Sequence, residues 1–254
     1  MGESHLLTFG FLFLAVIFLI ANAEETVTGF GGTIITVTLA VHFFKIDYIL
    51  AVIIPTSLLL SAYIVVRHYD AIDIRELLFG ILPPAAVGLG AGMAVFNLVK
   101  GPGVKIAYGV FVIGFSVVEL FKVLRARGVE GSAAPAGIGR VKGVLWLLAG
   151  GVIQGIYASG GPMVVYYTSR KISDKRVFRS TLSALWLALN FALIVNYAFT
   201  GRFTVKTLVE SAALIPSLVI GIILGEFLHA RIPDRAFRIL VFALLIIAGG
   251  SLLF

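Results

Sequence analysis

Two short runs hold the residue types that could take hold of a ligand. They are Thr28-Gly29-Phe30-Gly31-Gly32-Thr33 and Tyr157-Ala158-Ser159-Gly160-Gly161-Pro162. Each is a glycine turn set inside apolar sequence. Backbone of this kind survives at membrane depth only where protein buries it or where it lines a wet cavity. A helix starting just after Gly32 or Gly161 would aim backbone N–H groups and its positive dipole end at such a cavity. Thr28, Thr33 and Ser159 add hydroxyls, and Pro162 suits a first helical position. The chemistry implied is the holding of a compact oxyanion without a buried Arg or Lys. On this reading the substrate-binding set is Thr28, Gly29, Gly31, Gly32, Thr33, Tyr157, Ser159, Gly160, Gly161 and Pro162, and a Cβ at Gly32 or Gly161 is expected to block the approach. Gln154, one turn before the second run, and Asn190 in a later apolar segment complete the set. Thr56, Ser57, Ser61, Tyr63, Ser183 and Asn196 are secondary candidates, of the kind that more often bond a neighbouring helix.

Glu24 and Glu25 precede the first turn and lie deep in apolar sequence, whereas all five Asp residues fall in loops. A carboxylate near the membrane centre costs on the order of 3 kcal/mol and therefore usually faces a cavity and has a function. The pair is the candidate for proton coupling. Its alternative is a hairpin long enough to reach the far interface, leaving both side chains wet. No catalytic residue or metal ligand emerges. The four His residues are scattered, Cys is absent, and Ser159-Gly160 lacks the preceding Gly of an intramembrane serine protease. No cofactor is implied.

The elements that must position these residues are membrane helices. Of the 254 residues 59% are hydrophobic and 13% charged, and the mean hydropathy is +1.06. A soluble domain averages about 45–50% apolar and 25% charged. The net charge of +7 comes from basic residues at segment ends, where inside-facing loops and lipid headgroups account for it without nucleic acid. The apolar segments are Leu6–Ala23, Thr33–Phe44, Tyr48–Val66, Leu77–Val99, Ile106–Leu124, Gly143–Ala158, Pro162–Thr168, Thr181–Phe199, Leu208–Leu228 and Phe237–Phe254. The leader Met-Gly-Glu-Ser-His lacks a positive n-region, so the first segment reads as a membrane helix and not as a signal peptide. Thr33–Phe44 and Pro162–Thr168 are too short to span; each follows a glycine turn and reads as the returning arm of a hairpin.

The halves repeat. Gly31-Gly32 matches Gly160-Gly161 at a shift of 129 residues, and Pro83, Gly88 and Gly92 match Pro216, Gly221 and Gly225 at 133. Gly88-x-x-x-Gly92 and Gly221-x-x-x-Gly225 carry small-residue spacing suited to close helix packing. The expected organisation is a first repeat over 1–127, a linker over 128–142 and a second repeat over 143–254. Each repeat is a glycine-broken hairpin plus three transmembrane helices, in an all-α polytopic membrane protein. Fifteen of the 20 Lys and Arg residues, Arg75, Arg140, Lys171 and Arg179 among them, fall in one set of loops, and five, including Lys45, Arg202 and Lys206, in the other. The positive-inside rule puts the first set in the cytoplasm and both termini outside, with the repeats inverted. Inverted repeats with broken helices place a substrate near the midplane. The expectation is a secondary transporter for a small anion in the cytoplasmic membrane. A channel with a glycine-lined re-entrant filter is the alternative and an intramembrane enzyme a remote third; oligomeric state is left open.

The same residues resemble the sulfite exporter TauE/SafE family. That family carries a glycine-rich turn in each half, matched here by Gly29-Phe30-Gly31-Gly32-Thr33 and Ser159-Gly160-Gly161-Pro162-Met163, and a Phe-Arg-x-Thr run matched by Phe178-Arg179-Ser180-Thr181. The first turn departs from the family pattern: Thr33 stands where a third Gly is usual, and no Pro follows. The resemblance covers nearly the whole chain and implies sulfite or an organosulfonate as cargo.

Overall fold

Glycine and proline set the helix ends in this computed structural model, which describes residues 2–98, 102–125 and 139–229 and the isolated positions 239, 242, 243, 246 and 250. Every regular element among them is helical. α1 (Gly2–Thr28) runs past the expected end at Ala23, because nothing before Gly29 opposes the helix. Glu24, Glu25 and Thr26–Thr28 thus form its last turns rather than a loop. It stops where Gly29 and Gly31 adopt positive φ, +84° and +106°, a region closed to most side chains. α2 (Gly32–Ala40) then runs back along α1.

α3 (Ile46–Arg67) is a long helix that contains Pro55. A 3₁₀ turn (Tyr69–Ala71) leads to a π-helix (Glu76–Ile81) and α4 (Leu82–Leu98). The π-helix has a local cause: Pro83 and Pro84 have no N–H to offer the carbonyls four residues earlier, and the Leu82 N–H reaches back to Leu77. α5 (Pro102–Arg125) completes the first half. Residues 126–138, which contain most of the expected linker, lie outside the described residues.

α6 (Arg140–Tyr157) ends at Ala158, a non-glycine residue at φ +51°, and α7 (Gly161–Thr168) has Pro162 in its first turn. α8 (Lys175–Phe199) is capped by Asp174, whose carboxylate accepts the Val177 N–H at 2.8 Å. It begins six residues before the expected segment and so takes Arg179 out of the loop. α9 (Val205–Ala213) starts on a Thr204/Thr207 capping box. The helix breaks at Leu214, just before Pro216, and resumes as α10 (Ile215–His229). The last expected segment, Phe237–Phe254, lies outside the described residues save for the isolated positions.

Among the described residues, five helical stretches are long and apolar enough to cross a membrane: Gly10–Thr28, Ile46–Arg67, Glu76–Phe96, Lys175–Phe199 and Val205–Leu228. The chain is a multi-pass membrane protein. Its broadest packing joins α4 to α6, α1 to α10 and α3 to α8. Glycines allow the first two. A Cβ on Gly88 would strike the Leu148 carbonyl, and one on Gly92 the Val152 carbonyl, with Gly151 and Gly155 facing them from α6. On α10, a Cβ at Gly221 would lie 2.8 Å from the Leu19 carbonyl and one at Gly225 2.7 Å from that of Ala23. Both small-residue pairs thus face the backbone of another helix.

Candidate functional site

The two glycine turns border one small cavity. From the first come Glu25, Phe30, Gly31, Thr33 and Ile34; from the second Gln154, Ala158, Ser159 and Gly161; Trp186 and Asn190 of α8 close it. Trp186 and Asn190 sit at the middle of the 25-residue α8. The cavity offers a water-sized molecule about 20 Å3, room for about one water.

The turns are built alike. α1 ends with the Gly29 N–H on the Glu25 carbonyl at 2.7 Å, and α6 with the Ala158 N–H on that of Gln154 at 2.8 Å. Glu25 and Gln154 stand 129 residues apart, the repeat shift. Their side chains face the turns that follow them: the Glu25 carboxylate lies against the Gly32 backbone, and the Gly160 amide donates to Gln154 Oε1 at 2.9 Å. This corrects part of the expected anion cradle, since the Gln154 side chain already occupies the Gly160 donor. Gln154 Nε2 in turn donates to Asn190 Oδ1 at 3.0 Å, which leaves the Asn190 amide N–H pair as donor chemistry at the cavity.

Six of the twelve expected binding residues therefore line the cavity: Gly31, Thr33, Gln154, Ser159, Gly161 and Asn190. The others shape it from behind. The Thr28 hydroxyl donates to the Phe30 carbonyl at 2.7 Å and lies 3.0 Å from Glu24 Oε1. Gly29 lies against Arg179, and its carbonyl accepts Trp186 Nε1–H at 2.9 Å. Gly160 packs on the Gly150 carbonyl. Tyr157 and Pro162 are buried outside the lining. Gly32 and Gly161, expected to behave alike, differ: a Cβ on Gly32 would run into Glu25 and lie 2.9 Å from the Ala21 carbonyl, whereas one on Gly161 would meet Phe30 at an ordinary 3.4 Å.

Both candidate coupling carboxylates are buried, Glu24 at 5% exposure and Glu25 at 8%. Only Glu25 faces the cavity.

Sequence reasoning missed three participants. Phe30 stood inside the first motif and was passed over as apolar. Trp186 lies four residues before Asn190 on one face of α8, a spacing that helical periodicity alone exposes. Arg179 was assigned to a loop as a basic residue. It is instead buried, 7% exposed, on that same face, and its guanidinium donates to Glu226 of α10 at 2.6 Å. The run Phe178-Arg179-Ser180-Thr181 pointed to it.

The sequence matches the family model described as sulfite exporter TauE/SafE over residues 13–252. It is 24% identical over 241 residues to a probable sulfite/organosulfonate exporter TauE of Cupriavidus necator, covering 90% of this chain and 88% of that one. It is 26% identical over 179 residues to a probable inner membrane transporter protein TsaS of Comamonas testosteroni, covering 68% and 69%. No solved structure matches it significantly.

Proposed function

This chain belongs to the sulfite exporter TauE/SafE family, and from that premise we propose that it is a secondary transporter carrying sulfite or an organosulfonate across the cytoplasmic membrane. The observation that carries the reading is the single cavity bordered by both glycine turns, at the middle of α8. Asn190 and Thr33 offer donors there, and Glu25 is the titratable group positioned to couple anion movement to protons. About 20 Å3 does not admit a sulfur oxyanion, so substrate entry requires the hairpins to part. That favours alternating access over a channel, which needs a continuous open path.

The inverted-repeat organisation belongs to the same proposal. Exchanging α1 with α6, α4 with α10 and α3 with α8 turns the α1–α10 contact into α6–α4 and maps α3–α8 onto itself. Loop charge points the same way: Arg75, Arg140 and Lys171 gather at one cavity, while Lys206 and Arg202, from the other loop set, pack on Tyr48 and Phe96. We assign the first group to the cytoplasm and the termini to the outside.

The test is flux in proteoliposomes containing the purified chain, with labelled sulfite, a sulfonate, sulfate and a carboxylate offered in turn. Accumulation of sulfite or a sulfonate above equilibrium under a pH gradient is expected. Passive equilibration without accumulation would make the protein a channel, and transport of the carboxylate alone would overturn the cargo.

A further inference from the structure

A second, larger cavity opens where α4, α6 and α7 meet, and its chemistry differs from that of the first. Its volume is about 690 Å3, and its polar lining comprises Asp73, Arg75, Glu76, Arg140, Tyr167 and Lys171. The two acids already have partners within the protein. Asp73 Oδ1 accepts the Glu76 N–H at 2.9 Å, and Glu76 Oε1 accepts the Tyr167 hydroxyl at 2.7 Å. The Glu76 side chain reaches that position by folding back over Gly80, where any Cβ would strike it. The three cations are not so engaged: among the described residues no ion pair joins Arg75, Arg140 or Lys171 to a carboxylate.

The remaining wall is apolar, formed by Phe79, Pro84 and Val144. It continues into side chains that no protein covers: Phe79 is 82% exposed and Val141 75%, with Leu145 and Val87 also exposed. On a membrane protein such a face lies against acyl chains. The π-helix puts Glu76, Phe79 and Gly80 on this wall, and single π turns of this sort recur at functional sites. The site thus sets three cations against two hydrogen-bonded carboxylates, a net positive lining for an oxyanion, beside an apolar flank for a hydrocarbon tail, and a basic pocket between membrane helices suits an anionic headgroup.

We propose that this cavity binds the phosphate headgroup of an anionic phospholipid. A free oxyanion shares the charge but has no use for the apolar wall, which decides for the lipid. The inference stands apart from the transport reading, because its readout is binding.

The experiment is thermal unfolding of the full chain in detergent, titrated separately with phosphatidylglycerol, phosphatidylcholine and inorganic phosphate. Phosphatidylglycerol is expected to raise the midpoint, as a ligand of the folded state does, while phosphatidylcholine and phosphate leave it in place. Arg140→Gln should weaken the apparent affinity for phosphatidylglycerol about fivefold. Lys142→Gln removes the same charge two residues away, outside the lining, and should have little effect. Lys171→Gln repeats the test from another element if Arg140→Gln proves unstable, and native mass spectrometry of the unmodified chain with both lipids gives a mutation-free check. Equal effects of the two lipids, equal losses in Arg140→Gln and Lys142→Gln, or a phosphate effect matching that of phosphatidylglycerol would each overturn the proposal.

Discussion

Glu25 and Gln154 both face the turn that follows them, but only the carboxylate can carry a proton. Glu25→Gln should therefore keep the turn folded, as Gln154 does in the other half, while the pH dependence of sulfite flux disappears and binding persists. Proteoliposome flux at two pH values measures it, and an unchanged dependence in Glu24→Gln/Glu25→Gln would strip the pair of a coupling role. The motif glycines separate in the same assay. Gly32→Ala forces a Cβ into Glu25 and the Ala21 carbonyl, whereas at Gly161 the Cβ finds ordinary contact with Phe30; transport should fail in the first variant and survive in the second. His68, just beyond α3, offers a pH effect on stability. Burial, followed by the Arg179 charge, holds its imidazole below the usual 6.5, with Arg176 and Arg67 acting alike and Glu226 opposing. The folded chain thus takes up this proton less readily than the unfolded one. Its stabilising contribution is complete above about pH 6.5 and fades as pH falls through the lowered folded value. The acid side of the Tm-versus-pH curve should be shallower in His68→Gln than in the unmodified protein.

The three glycines of α4 offer an internal comparison between helix packing and helix propensity. Gly88 and Gly92 face carbonyls of α6, but a Cβ on Gly90 would meet nothing within 4 Å. Gly88→Ala or Gly92→Ala must push α4 and α6 apart, at a cost on the order of 1–3 kcal/mol. Gly90→Ala should instead stabilise by about 0.4–1 kcal/mol, through the unfolded chain. Thermal unfolding in detergent separates the three, and equal Tm values would refute the close approach. These spacings were legible in the sequence, as were the hairpins, because glycine and proline fix backbone geometry locally. The ends of α1 and α8 were not. Reading by hydropathy stops a segment at Glu24 or resumes it after Arg179, yet a charge does not end a helix; only a residue such as Gly29 does. The cavity was half legible for the same reason. Gly31, Thr33, Gln154, Ser159, Gly161 and Asn190 announce themselves by type, whereas Phe30 and Trp186 look like ordinary core until the helices are in place.

At the scale of the whole molecule, the proposed orientation predicts which loops meet each side. In this Cys-free chain, a single cysteine at Arg202 should react with an impermeant thiol reagent in intact cells, and one at Lys175 should not. The reverse pattern would invert the molecule. The packing that joins the halves also has a consequence for biogenesis. α6 meets a partner already made, since α4 precedes it, but α1 packs on α10, whose first residue, Ile215, leaves the ribosome 187 residues after Thr28. At about 5–20 residues per second, α1 waits roughly 10–40 s in the bilayer with Asn22, Ala23 and Thr26 still uncovered by the helix that packs on them. Nascent chains arrested before α10 should be recognised by membrane quality-control proteases through α1, while chains arrested after α7 should already show a protected α4–α6 pair.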